Sequence, residues 1–478
     1  MNSIFNVPDS LVKRQFQEEC ELPPYRTEFM RDRDRILYAT AFRRLAGKTQ
    51  IYTVGTDDHK RNRLTHTLEV AQIARTIARA LNLNADLAEA IALAHDFGHT
   101  PFGHAGEVIL HEIMIPDSNY VKESPYFKTS IEELEKTFQR EARDKIDYMN
   151  YAYGFKHNLQ SVRVAATLED SYRSNEKNIG LNLTNFTLYG MMNHAEMQYY
   201  EKHSFVPNYH NQYNDHIRMN GYDNLSWSFE AHIARISDIV AQWHHDLEDA
   251  LRENALPLDK ICSVIQNALG NSLNNCDKEI LEKISSRAGI DRKTAADLSH
   301  VVVNTLVNDI QSTSKKNFET LIDELAEKKI TSPEEIFLNY DALGLSIEHE
   351  KVISFSKNIV DKQFYDVIHA SVHHSRNVER MNAKGEYIIR KLFEAYYAHP
   401  QQLPDGPILH LIVSINSDKY KNIDDVKKEG VGAARTEFSK IMENPSIYEK
   451  SILMRRICDH IASMTDHYAI EEYNNLYG

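Results

Sequence analysis

Residues 87–98, LAEAIALAHDFG, carry apolar side chains nearly all round a helix and end on His95 and Asp96. A helix without a polar stripe has to be buried. The terminal imidazole and carboxylate are buried with it, where an unpaired polar group costs roughly 2–7 kcal/mol. Whatever fold this chain adopts must bring polar partners or a metal ion to that helix end.

Upstream, residues 67–81 set Leu68, Ala71, Ile73, Ala74, Ile77, Ala78 and Leu81 on one broad apolar face, and Asn82 to Asn84 break the pattern before Asp86. Two helices joined by so short a turn pack antiparallel, which brings His66, at the start of the first, to His95 and Asp96, at the end of the second. Asp238 lies among Ile236, Ile239 and Val240 on an amphipathic helix expected from about Ser228 to Glu253. A lone carboxylate in that setting also calls for a cation. The expected ligand set for one divalent metal is therefore His66, His95, Asp96 and Asp238. Adjacency of His and Asp decides nothing by itself, since His245-Asp246 is a second such pair among 23 histidines.

Two imidazoles and two carboxylates that leave open positions suit Mn²⁺ or Mg²⁺, with Fe²⁺ the next choice. A closed structural zinc site would prefer thiolates, and none is near in sequence. An ion so held orients a substrate and lowers the pKa of a bound water. This is the layout of a metal-dependent phosphohydrolase. Beyond it, the loop at 98–106 leads to a helix expected from near Ala105. His104 and Glu107, three apart, share a face, so Glu107 can orient His104 for proton transfer; a His104 that merely caps or lines the loop is the other reading. Arg63, one turn before His66, and Arg61 carry forks that match phosphate oxygens, with a solvated charge run as the alternative for Arg61.

Only 17 Gly and 13 Pro interrupt 478 residues, and apolar positions recur at helical spacing, so the expected fold is all-α. A soft boundary near 255 separates an N-terminal helical region, 1–255, with its catalytic core at about 60–250, from a C-terminal helical region, 256–478, packed on it. The net charge of −14 repels polyanions, which removes nucleic acid as the expected main ligand. Cys20, Cys262, Cys276 and Cys458 lack CxxC spacing and read as reduced thiols. The first residues lack a basic start followed by an apolar core, so no secretory signal is expected, and no stretch approaches the roughly 18 apolar residues that cross a bilayer. A cytoplasmic location without membrane attachment is expected.

Seven blocks in order resemble the deoxyguanosine triphosphate triphosphohydrolase-like branch of the HD-domain superfamily: RDRDRILYATAFRRLAGKTQIY (31–52), DDHKRNRLTHTLEVAQIARTIARAL (57–81), ALAHDFGHTPFGHAGE (92–107), FKHNLQSVRV (155–164), GLNLTNFTLYG (180–190), ISDIVAQWHHDLEDA (236–250) and CDHIASMTDHYA (458–469). The resemblance implies a helical HD phosphohydrolase fold with an additional C-terminal helical region. It implies a homo-oligomer, hexamer or tetramer, that splits deoxynucleoside triphosphates into deoxynucleoside and inorganic triphosphate, with these nucleotides also as candidate allosteric effectors. It implies His66, His95, Asp96 and Asp238 as metal ligands and His104 with Glu107 as the catalytic pair. Gln50 and Asp246 would contact the sugar 3′-hydroxyl, and Arg63 and His99 would face the phosphates.

Two positions depart from the family pattern. Gln242 stands four residues after the last expected ligand, where the family usually has Tyr, and Asn193 stands where a Lys commonly follows the GLNLT block. An amide in place of an aromatic wall can hydrogen-bond a 2′-hydroxyl, and a neutral group replaces a cation. The alternatives to dNTP hydrolysis are another HD-type enzyme, a 5′-nucleotidase or phosphodiesterase, and a nucleotide-sensing regulatory subunit, for instance in anti-phage defence.

Overall fold

The computed structural model describes residues 4–18, 21–50, 61–114, 154–174, 177–178, 180–194, 227–285, 291–340, 342–345, 351–359 and 364–478. It is all-α. Extended pairing among the described strands is a two-residue hairpin, Arg173–Ser174 against Lys177–Asn178. Residues 195–226, rich in Asn and Tyr, lie outside the described residues, as does Cys20. Among the described residues no helix is long and apolar enough to cross a membrane, and Cys262, Cys276 and Cys458 are free thiols.

The expected antiparallel pair forms. Helix α1 (Arg63–Ala80) starts where the Asn62 side chain accepts from the Thr65 N–H, and buries Val70, Ala71, Ile73, Ala74, Ile77 and Ala78. It stops at Asn82, whose φ of 55° is in the left-handed region that Asn tolerates. Helix α2 (Ala85–Ala94) starts two residues on, with the Asn84 side chain accepting from the Asp86 and Leu87 N–H groups. Its small Ala side chains let the two backbones approach closely, and Leu87 through Ala94 are buried except Glu89.

The expected run to Gly98 is not helical: α2 ends at Ala94, one turn early. The reason is steric. A Cβ at Gly98 would stand 2.1 Å from the His157 carbonyl and 2.3 Å from the Ser161 nitrogen. Helix α4 (His157–Arg163) thus crosses the chain at this point, and its Ser161 hydroxyl donates to the His95 carbonyl at 2.7 Å and accepts from the Gly98 N–H at 2.8 Å. The helix-end polar groups are satisfied by a neighbouring side chain instead of another turn. Phe102 and Gly103, both with φ near +60°, then feed helix α3 (His104–Met114). It begins one residue before the position expected.

Helix α5 (Asn185–Asn193) follows the hairpin, and helix α6 (Phe229–Arg252), capped by Ser228, matches the expected long amphipathic helix to within a residue. Apolar side chains gather in two clusters. One runs from Phe5 through α1, α2, α5 and α6 and on to Val378, without a break at 255. The other joins Phe102, four residues of α3 and Phe155 to apolar residues between Ile388 and Ala469. The loop carrying His95 to His104 lies at the seam between them.

Candidate metal centre

The antiparallel turn and the N-terminal half of α6 bring the four expected ligands together. His66 Nε2 is 3.0 Å from Asp238 Oδ1 and 3.9 Å from Asp96 Oδ2. His95 Nε2 is 3.2 Å from Asp96 Oδ1 and 3.8 Å from Asp238 Oδ1. The His95 Nδ1–H donates to the Ala92 carbonyl at 2.7 Å. A neutral imidazole has one N–H, so Nε2 carries a lone pair. That Nε2 is buried and has no hydrogen-bond partner, an acceptor aimed at carboxylates and so suited to a cation. These residues fit a divalent metal by donor type and by the fixed tautomer of the ring.

His66 is held from behind. Its Nδ1 is 3.3 Å from His245 Nδ1, and the Nε2 of His245 hydrogen-bonds Glu69. Burial, outweighing the pull of Glu69, lowers His245 to about 3. It is therefore neutral; its one N–H goes to the carboxylate and its Nδ1 accepts from His66, leaving His66 Nε2 for the centre. The sequence marks His245 only as half of a second His-Asp pair. What it lacked was the pairing with Glu69, which comes from another helix.

Burial alone would raise both carboxylates, yet His95, His99 and Arg63 hold Asp96 well below the ordinary range, and His66 and His95 hold Asp238 at about 2. Both are anions at neutral pH. Arg63 Nη1 lies 2.8 Å from Asp96 Oδ2, and His99 Nε2 lies 3.1 Å from Asp96 Oδ1. Both groups expected to face phosphates thus flank the carboxylate. Arg61 is no solvated charge: it pairs with Glu248.

Glu107 is fully buried, and three groups converge on it. Lys156 Nζ is at 2.9 Å, His157 Nδ1 at 2.7 Å and His104 Nδ1 at 3.6 Å. Burial raises its pKa, but His157 and Lys156 pull it well below the usual carboxylate value. His104 stands at the rim with its side chain 74% exposed, while His157 stacks on His99 with ring centroids 3.8 Å apart. Lys156 and His157 carry no sequence signal relative to Glu107, since 49 and 50 residues separate them from it and only the crossing at Gly98 joins them.

The expected sugar contacts lie further out. Gln50 has a buried, unpartnered Oε1, and its carbonyl and the Arg63 guanidinium both flank Gly103, 3.6 and 3.5 Å from an added Cβ. Asp246 lies two turns beyond Asp238, about 12 Å along the helix. His369 Nδ1 is 2.7 Å and His373 Nε2 3.5 Å from its oxygens. Gln242 is half-buried. The buried Asn193 amide donates to the Tyr189 carbonyl at 3.1 Å.

Comparison with known proteins gives the family. The HD domain family matches residues 63–177, and the phosphohydrolase-associated domain matches 357–408 and 438–475. A deoxyguanosinetriphosphate triphosphohydrolase-like protein of Bartonella henselae is 33% identical over 459 residues, 95% of this chain and 90% of its own. Like-named proteins of Mesorhizobium japonicum and Rickettsia rickettsii are 30% identical over 98% of this chain and 93% of theirs, and 31% over 95% and 93%. The chain belongs to the deoxyguanosinetriphosphate triphosphohydrolase-like family. It is an HD phosphohydrolase. The matched HD segment contains His66, His95, Asp96, His104, Glu107 and His157, whereas Asp238 lies beyond it on α6.

Proposed function

We propose that this phosphohydrolase cleaves deoxynucleoside triphosphates, dGTP or several dNTPs, to the deoxynucleoside and inorganic triphosphate, with a divalent ion, Mn²⁺ or Mg²⁺ before Fe²⁺, held by His66, His95, Asp96 and Asp238. The observation that carries it is the convergence of two imidazole Nε2 atoms and two ionised carboxylates at one point, with the buried His95 Nε2 unpartnered there. When bound, such an ion would acidify a water and draw charge from phosphoryl oxygens. The names of the relatives supply the substrate class.

Around that point the chain's own residues divide the work. Arg63 and His99, already beside Asp96, receive phosphate oxygens. His104, exposed and held by the ionised Glu107, takes or delivers the proton at its ring. Gln50 and Asp246 hold the sugar 3′-hydroxyl. Gln242 and Asn193 set how strictly a 2′-hydroxyl is refused. A homo-oligomer, hexameric or tetrameric, with dNTPs as effectors belongs to the same proposal, as does a role in the cytoplasmic dNTP pool.

One assay tests the reading: all four dNTPs and all four NTPs, singly and mixed, with products identified after loading with Mn²⁺ or Mg²⁺. Release of intact triphosphate is the expected result, abolished by a chelator and restored by the ion. Release of orthophosphate or pyrophosphate, or tight dNTP binding without cleavage, would reject it. Asp96→Ala is expected to lose the ion, and a full metal complement in that variant would remove the ligand assignment.

A further inference from the structure

We infer that Asp96, His157 and His194 hold a second divalent cation, so that the centre is dinuclear and Asp96 is shared between two ions. This deepens the functional reading above and rests on it for the first ion.

The acceptors around the two rings fix where their protons must be. His157 Nδ1 is 2.7 Å from Glu107 Oε2, and Glu107 also meets Lys156 Nζ at 2.9 Å. A carboxylate so placed only accepts, so the proton is on His157 Nδ1. His194 Nδ1 is 2.6 Å from the Met191 carbonyl. A carbonyl also only accepts, so the proton is on His194 Nδ1. A neutral imidazole has one N–H, and each ring therefore presents a bare lone pair at Nε2. Those two Nε2 atoms face each other at 3.3 Å, in rings only 5% and 3% exposed. Two acceptors at hydrogen-bonding distance repel unless a proton or a cation stands between them.

Asp96 favours the cation. One of its oxygens and one ring nitrogen each from His157 and His194 lie within 4.8 Å of one another, as do the ligand atoms of His66, His95 and Asp96. His95 and His194 meet edge-on with ring centroids 4.9 Å apart, so the two sets are contiguous. The same device recurs in all four rings. His95 uses Nδ1 on the Ala92 carbonyl, His194 on the Met191 carbonyl, His157 on Glu107 and His66 on His245 backed by Glu69. Each turns Nε2 toward the carboxylates. Ligating histidines are oriented in this way by an acceptor on the other nitrogen, an oxygen for three of these rings and His245 Nδ1 for His66. Two imidazoles and one carboxylate suit a transition-series ion such as Mn²⁺, Fe²⁺ or Zn²⁺ better than Mg²⁺. Two ions bridged by one carboxylate clamp both the attacking and the leaving oxygen of a displacement at phosphorus.

The test counts ions on the full chain. Protein stripped by a chelator, reloaded with Mn²⁺ and desalted is expected to keep two ions per chain and to give the low-temperature EPR spectrum of an exchange-coupled pair. His194→Gln and His157→Gln, each shown folded by circular dichroism, are expected to keep one ion with an isolated six-line spectrum. One uncoupled ion in the unaltered protein, or two in His194→Gln, overturns the inference. Asp238→Ala separates it from the first assignment. If that variant keeps both ions while His194→Gln loses one, the first ligand set is wrong and the His157–His194 site stands.

Discussion

At the scale of single residues, the centre is a problem of proton placement among acceptors. Glu107 meets Lys156, His157 and His104, and of these three His104 alone reaches solvent. Replacing His104 by Ala should leave the metal complement intact and lower turnover by on the order of 10²-fold or more, the scale of a general acid–base contribution. Metal analysis and single-turnover kinetics read the two effects apart, and near-normal turnover would return His104 to a loop-lining role. Glu107→Gln is expected to lose as much, because a neutral amide cannot accept from Lys156 and His157 while holding His104. The residues whose meeting the sequence foretells, His66, His95 and Asp96, are those whose spacing along two adjoining helices brings them together. His157, His194 and His245 were not legible, since their roles depend on partners 50, 37 and 176 residues distant, Glu107, His157 and Glu69. The block containing Lys156 and His157 was visible as a motif without any hint of which carboxylate it serves.

At the scale of elements, the helices were legible wherever apolar spacing ran against a capping residue, as at Asn62, Asn84 and Ser228. The end of α2 was misjudged because a crossing helix, not the local sequence, terminates it. That crossing predicts a large effect from a small change. Gly98→Ala drives a methyl into the His157 carbonyl and the Ser161 nitrogen, so α4 must shift, at a cost of at least about 1–3 kcal/mol. Chemical denaturation gives that cost, and weakened Mn²⁺ binding should accompany it because Asp96 and His157 are moved apart. A second element-level prediction concerns the first turn of α6. Glu230 is fully buried, accepts from the Asn84 N–H at 2.8 Å and leaves its other oxygen unpartnered. Burial lifts it from 4.5 to about 7. A pKa raised on folding favours the protonated carboxyl in the native state, so its stabilisation is complete below pH 4.5 and disappears as pH rises through about 7. Glu230→Gln should therefore gain stability relative to the parent between pH 5 and 8, by on the order of 3 kcal/mol at most. A melting-temperature difference that does not change across that range would show that Glu230 is ionised throughout.

At the scale of the whole molecule, the loop from His95 to His104 is held by α4 at one end and by the C-terminal helices along the rest. Lys48, 2% exposed, donates through Nζ to the His99 carbonyl and, at 2.7 Å, to the Ala462 carbonyl, tying that loop to the helix Ile447–Ser463. Asp466, at the start of the helix Asp466–Tyr477, accepts from the Phe102 N–H at 3.0 Å, the Thr49 N–H at 3.1 Å and the Thr49 hydroxyl. The strained Phe102 turn before His104 is thus pinned by a carboxylate 364 residues away. Composition and periodicity could indicate a helical C-terminal region but not this strap, because nothing local marks Asp466 as an acceptor for another part of the chain. The packing also shows why a cut at 255 would not isolate the site: α6 belongs to a cluster that continues to Val378, and α3 belongs to the C-terminal one. Asp466→Ala strands three buried donors and is expected to cost about 2–4 kcal/mol. Because Phe102 and Gly103 lead directly into His104 and Glu107, turnover should fall well beyond the loss of folded protein, whereas Mn²⁺ affinity, which the proposed ligands set, should change little. Urea denaturation, metal titration and kinetics on that one variant separate the three quantities, and an equal loss of metal affinity and turnover would place the strap's effect on the ligands rather than on the His104 turn.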